Sequence, residues 1–244
     1  MTERSSPPRL RSRGPKSPLS RDGVVAAALA CLREGGPSRL TMRMVAGRLE
    51  TGPASLYTFV RDQRELHVLV LDSIAARVRR ADIEGGSEDG VVELLLDYAR
   101  QLHAFPGAAR LALLTPPTGP AFLDLVESAM ERLVGAGFSI TAAERACDAL
   151  FIFVTATVAE QDARTADDAA RPIPDLYEEA LDADSTSRPY LAAAREQMAA
   201  WSGAGRLEWS LRAFLAGAKS SSEPQGLARA TRPAGSSNSR TGRG

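Results

Sequence analysis

Between about residue 19 and residue 219, the apolar residues of this chain recur at intervals of three and four. No stretch alternates apolar with polar for long enough to argue for a strand. That periodicity predicts an all-α protein. The ends differ in kind: residues 1–18 are rich in Ser, Pro and Arg, and residues 220–244 in Ser, Gly, Arg and Pro, compositions that predict two disordered tails. What lies between, in a chain of 244 residues, is long enough for a sizeable core and one or two domains. The most apolar run, residues 149–159 between Asp148 and Glu160, is far short of the roughly 20 residues a membrane span needs, so no membrane association is expected.

Start and stop signals place the helices. Ser20 is suited to cap a first helix that runs to Glu34 with Val24, Ala27, Ala28, Cys31 and Leu32 on one side, and Gly35-Gly36-Pro37 ends it. Thr41 caps a second, with Val45 and Leu49 facing inward. This helix breaks at Glu50-Thr51-Gly52-Pro53, and helical spacing then resumes at once. Pro53 suits the first position of a third helix, where its missing N–H costs nothing, and Gly52 is an acceptable cap before it. Leu56 and Val60 form the buried side of that short helix. A fourth begins near Asp62 and carries Leu66, Leu69, Val70 and Ile74 toward Arg80. Further helices fit 88–104, 121–136, 141–163, 188–201 and 205–219, with a shorter one over 107–113. The acidic segment Thr165–Ser187 reads as a long loop.

The net charge of zero hides an asymmetry. Residues 1–80 hold 15 Lys+Arg against 7 Asp+Glu, a net of +8, and residues 81–244 hold 15 against 23, a net of −8. A basic front end fits contact with a polyanion. Cys31 and Cys147 lie far apart in helical patterns, which argues against a disulfide framework or a zinc site and suits a reducing cytoplasm. The basic N-terminus (Arg4, Arg9, Arg11, Arg13, Lys16) is followed by no apolar run, so a secretory signal is not expected.

A helix broken after about nine residues and restarted at once suits a hairpin that only packs, and it also suits a reader of DNA. In a helix-turn-helix unit the second helix lies in the major groove and its N-terminal residues meet base edges. Here the outward face of that helix, Pro53, Ala54, Ser55, Tyr57 and Thr58, is small and uncharged apart from one aromatic ring. A solvated helix face would normally carry Lys and Glu. Residues 19–66 resemble the DNA-binding domain of the tetracycline-repressor (TetR) family of bacterial regulators. The matching pieces are Leu40-Thr41-Met42-Arg43, the Leu56-Tyr57 pair, and Arg61-Asp62 followed by Glu65-Leu66. The resemblance implies that Thr41 and Tyr57 contact phosphates, that Arg43 comes within reach of a guanine, that Pro53, Ala54 and Ser55 meet base edges, and that Arg61, with Arg64, adds phosphate contacts. Three positions depart from the family pattern: Glu50 stands for the usual turn glycine, Phe59 for a polar residue, and Gln63 for a frequent lysine.

In 141–163, Ala143, Cys147, Leu150, Val154 and Val158 make one apolar stripe, and Ala146, Ala149, Phe153 and Ala156 make a second. A helix apolar nearly all round is expected to be buried on all sides. Leu207, Leu211, Phe214, Leu215 and Ala218 give the last helix a similar broad face. Both fit the core of a monomer, and in TetR-like proteins helices in these positions form a four-helix dimer interface, so the resemblance implies a homodimer. The stretch from Ala136-Gly137-Phe138-Ser139 to Gln161 resembles the C-terminal domain of the tetracycline repressor itself. Laid along it without gaps, Leu111 falls where that repressor has a histidine holding a magnesium–drug complex. A leucine cannot ligate a metal, so neither a metal nor a cofactor is expected. The same overlay places Arg79, Glu93, Asp97 and Pro116 near an effector cavity suited to a small, partly hydrophobic molecule.

No hydrolase, nucleotide or metalloprotease motif is present in the sequence, and the two histidines, His67 and His103, are expected at the surface or as caps, so catalysis is not expected. The predicted organisation is a basic tail over 1–18, a helix-turn-helix domain over 19–78, a helical effector-binding and dimerisation domain over 79–219, and a tail over 220–244. The function implied is a cytoplasmic, ligand-responsive regulator, a repressor that binds a double-stranded palindromic operator as a homodimer. A second reading, motivated by Glu50, Phe59 and Gln63, is an all-helical small-molecule-binding protein whose DNA head has weakened or been lost.

Overall fold

A computed structural model of the chain describes residues 19–79, 86–165 and 187–195, residues 204–220, and isolated positions between 175 and 182. Among the described residues the fold is all-α, with no strand. The elements are α1 (Arg21–Gly35), a 3₁₀ turn (Pro37–Arg39), α2 (Met42–Arg48), α3 (Pro53–Leu56), α4 (Gln63–Ala75), α5 (Glu88–His103), α6 (Ala108–Leu114), α7 (Pro120–Gly135), α8 (Ile140–Thr165), α9 (Pro189–Ala193) and α10 (Ala204–Ser220). The predicted tails, and most of the Thr165–Ser187 loop, lie outside the described residues. The helix predicted over 188–201 is described only over the five residues of α9.

The first three caps are those the local sequence dictates. Ser20 accepts from the Gly23 amide at 3.1 Å, and Thr41 from the Met44 amide at 3.3 Å. Asp62 accepts from the Glu65 amide at 2.8 Å. Each satisfies one of the N–H groups that a helix start leaves without a partner. At α4 the exchange is reciprocal in a shifted form, because Glu65 Oε2 accepts from the Arg61 amide at 2.6 Å.

The chain divides into two compact units. Within the described residues the first draws on 19–79, 97–125 and 154–165, and the second on 86–96, 126–153 and the residues from 175 on. In the first, α1, α2, α3 and α4 close around Val24, Ala28, Leu32, Leu40, Val45, Leu56, Leu66, Val70 and Ile74, all fully buried. Burying one such side chain contributes about 1.5–3 kcal/mol, which is what holds a four-residue helix such as α3 in place. Helix α6 packs on α4 and on the 3₁₀ turn. Beside it the Phe105 ring is buried between two guanidinium groups, Arg33 at 4.6 Å and Arg77 at 5.1 Å from its centroid.

In the second unit two cations of α10 reach α5. Arg212 pairs with Asp89, and Lys219 Nζ lies 2.7 Å from Glu88 Oε1. Gly86 and Gly135 meet backbone to backbone, since a Cβ on Gly86 would fall 2.0 Å from the Gly135 carbonyl carbon. The expectation that α8 is buried all round does not hold for the single chain. Its first stripe is buried at Ala143, Cys147, Leu150, Val154 and Val158, but Phe153 and Ala156 of the second are exposed, and so is Phe214 of α10.

Candidate nucleic-acid interface

The turn between α2 and α3 is built from backbone bonds. The Thr51 amide donates to the Ala46 carbonyl at 3.0 Å and the Glu50 amide to the Gly47 carbonyl at 3.1 Å, the pairing that ends a helix through one left-handed residue. That residue is Glu50, with φ of 51°, the one non-glycine with positive φ among the described residues. The chain thus makes its turn at the position where the family pattern favours glycine, and does so with a side chain that disfavours the conformation.

Helix α3 then starts on Pro53 after an extended Gly52 and is pinned by Leu56, with Val60 four residues on; both are buried. Anchoring that side leaves Pro53, Ala54, Ser55, Tyr57 and Thr58 all exposed, with the Tyr57 ring 55% accessible. Arg43 is exposed on α2, while Thr41 is half-buried and its hydroxyl oxygen caps α2, leaving the hydroxyl proton free to donate outward. Arg61 is exposed but engaged, its Nε 3.1 Å from Glu65 Oε2. Glu65 also takes Arg21 at 3.2 Å. The Arg61 amide first, and then its guanidinium, hold the Glu65 carboxyl below its ordinary value. The Gln63 side chain turns to the Leu40 carbonyl at 3.4 Å, shared with His67 at 3.3 Å.

Of the residues expected near an effector, the structure brings Arg79 and Asp97 together. Asp97 Oδ2 accepts from the Arg79 amide at 2.6 Å, and Oδ1 lies 2.9 Å from an Arg100 amino group. Burial by itself would raise the Asp97 carboxyl, but the Arg79 amide and the Arg100 guanidinium together outweigh it and hold the carboxyl below its usual value. Leu111 is buried in α6 and Pro116 is exposed beyond it; both belong to the first unit. Glu93 is exposed on the part of α5 that belongs to the second unit. A cavity of about 460 Å³ in that second unit is lined by Val92, Leu215 and Ala136 with Arg212 and Lys219 at its edge, and none of the expected effector residues lines it.

Sequence reasoning missed a buried polar contact inside the first unit. Tyr98 Oη on α5 lies 3.3 Å from Thr155 Oγ1 on α8, and the Tyr98 ring sits 6.2 Å from that of Phe122 on α7. Burial pushes the Tyr98 phenol up, opposed by the Thr155 hydroxyl. A tyrosine and a threonine at inward positions of otherwise apolar helix faces were the available signal. The histidines are engaged: His103 Nδ1 lies 3.0 Å from Asp162 and Nε2 2.9 Å from Gln161. Both thiols are buried, and burial, with Glu144 nearby, pushes Cys147 up to about 12, far from a reactive thiolate. Among the described residues no group of three His, Cys, Asp or Glu side chains is placed to hold a metal ion.

A short exposed helix carried on a three-helix support, in front of a helical bundle, defines a helix-turn-helix protein. Comparison with known proteins agrees. Residues 88–221 match the family model described as "Tetracyclin repressor-like, C-terminal domain". An HTH-type transcriptional regulator of Saccharopolyspora erythraea is 34% identical over 121 residues, 49% of this chain and 51% of that protein, so the chain spans about half of that relative's length. The class G tetracycline repressor of Vibrio anguillarum is 30% identical over 165 residues, 66% of this chain and 78% of the repressor. Among solved structures, ActR of Streptomyces coelicolor, a TetR family protein in complex with actinorhodin, has a TM-score of 0.75 at 31% identity, covering 83% of this chain and 96% of that one. The chain belongs to the tetracycline-repressor family of transcriptional regulators.

Proposed function

We propose that this chain is a cytoplasmic, ligand-responsive repressor whose residues 19–78 bind a palindromic operator and whose residues 79–219 take an effector and pair with a second copy. The observation that carries the reading is the face of α3. Leu56 and Val60 hold the helix by one side, and what remains outside is uncharged, small and contiguous, with Tyr57 standing clear of it. Such a surface approaches base edges and thymine methyls closely, while Thr41, Arg43 and Arg61 supply donors for phosphate and guanine. Repressors among its relatives support the sense of regulation, and the complex of ActR with actinorhodin supports a small aromatic effector. The apolar Leu111 supports an effector held without a metal.

The test is a gel shift against DNA from beside the protein's own gene. Arg43→Ala and Tyr57→Ala should each weaken binding about 10- to 100-fold, the span of a lost base or phosphate contact. Binding as tight as wild type in both variants would remove α2 and α3 from the interface.

One observation favours the second reading, a bundle with a weakened head. The Gln63 amide and the Arg61 guanidinium are both engaged with the protein's own oxygens rather than presented outward. Salt separates the two. A working head loses affinity steeply as salt rises, whereas negligible binding at low salt would favour the weakened one.

A further inference from the structure

Helix α7 starts without a cap of its own. The residue in the N-cap place is Gly119, whose carbonyl accepts the first helical bond from the Leu123 amide at 3.0 Å but which has no side chain to offer. Pro120 has no N–H, so the first amides in need of a partner are those that follow it. One of them is met from another helix: Asp72 Oδ1, on α4, accepts from the Phe122 amide at 3.0 Å. Gly119 makes room for this approach, since a Cβ there would fall 2.2 Å from Asp72 Cγ and 2.3 Å from Oδ1. The positive end of α7 favours the carboxylate charge as well. Glycine and carboxylate thus form one joint between α4 and the first turn of α7, inside the first unit.

Both sides of that joint lead somewhere. On one side Phe122 continues to Tyr98, and Tyr98 to Thr155, so the first turn of α7 is seated on α5 and α8. On the other side α4 is the support on which α1 packs and against which the reading helices close. We propose that Asp72 is a positioning residue for DNA recognition: by fixing α4 to the first turn of α7, it sets the direction of the reading head and so the half-site spacing that the dimer accepts. This rests on the dimeric operator-binding reading above.

The test uses the full chain and a duplex that wild type enriches from a random pool, remade with the spacer between half-sites changed by one and two base pairs. Wild type should discriminate among the spacers, because half-site separation mirrors the distance between heads. Asp72→Ala should lose about five- to tenfold of that preference while keeping most of its affinity for the best spacer, a coupling at the low end of those usual between sites. Asp72→Asn keeps an acceptor for the Phe122 amide and should retain the preference. Gly119→Ala displaces the carboxylate and should lose it, and it carries the test if Asp72→Ala is too unstable to assay. A general loss of stability would lower binding to every spacer alike. That result, or an unchanged preference in folded Asp72→Ala, overturns the proposal. If wild type enriches no duplex at all, the operator-binding reading fails and the proposal falls with it, an outcome distinct from a failure of Asp72 alone.

Discussion

Glu50 holds a backbone conformation that its side chain opposes. A left-handed residue with a Cβ costs about 1–2 kcal/mol relative to glycine, and here the two backbone bonds that close the turn keep it there. Glu50→Gly should therefore raise the melting temperature, by about 2–4 °C for each kcal/mol recovered in a protein of this size. It also removes a negative charge between the two reading helices, so operator affinity at low salt should rise with it. A melting temperature unchanged from wild type would show that the turn carries no strain. This position was legible in the sequence, since the broken helix and the absent glycine both pointed to it. Asp72 and Tyr98 were not. Their partners lie 50 and 57 residues away, and helical spacing fixes which face a residue occupies without saying what faces it.

The same distinction governs the elements. Ser20, Thr41 and Asp62 were identifiable as caps because cap and capped amide are three residues apart, and Leu56 and Val60 as the buried side of α3 for the same local reason. What joins the elements was not identifiable. Asp97 is the clearest case. The overlay on the tetracycline repressor put it with Arg79, and the structure gives the pair a structural task, with the chain just after α4 tied to α5 through the Arg79 amide. Because the Asp97 carboxyl is held below its ordinary value, its contribution is present above the unfolded carboxyl's pKa, near 3.9. That contribution is lost as pH falls through the lower folded value. Asp97→Asn should thus cost about 1.5–3 kcal/mol at pH 7, as for a hydrogen bond to a charged group. It should also show a shallower fall of melting temperature between pH 5 and pH 3 than wild type. Parallel acid profiles for the two proteins would rule this contribution out.

At the scale of the whole molecule the second apolar stripe of α8 needs a partner that one chain does not supply. Ile152 and Phe153 are 55% and 42% accessible, and Trp209 and Phe214 of α10 are 57% and 42% accessible, all within the second unit. Aromatic and large aliphatic side chains in this density belong to the buried centre of an interface rather than to a solvated face. The periodicity that predicted burial on all sides was therefore reporting two environments at once, the core of one chain and the contact with another, which apolar spacing by itself does not separate. A homodimer would cover the stripe. In sedimentation experiments wild type should behave as a dimer, and Ile152→Glu with Phe153→Glu should yield folded monomers with unchanged helix content. The consequence for DNA follows from linkage between heads. Once one half-site is held, the second head binds at a high effective concentration, an advantage of about a hundredfold or more that separate monomers forgo. Operator affinity in the double variant should drop by that factor, while binding to a single half-site stays near the wild-type value. Equal losses on the full operator and on the half-site would place the damage in the head itself, and a monomeric wild type would remove the interface.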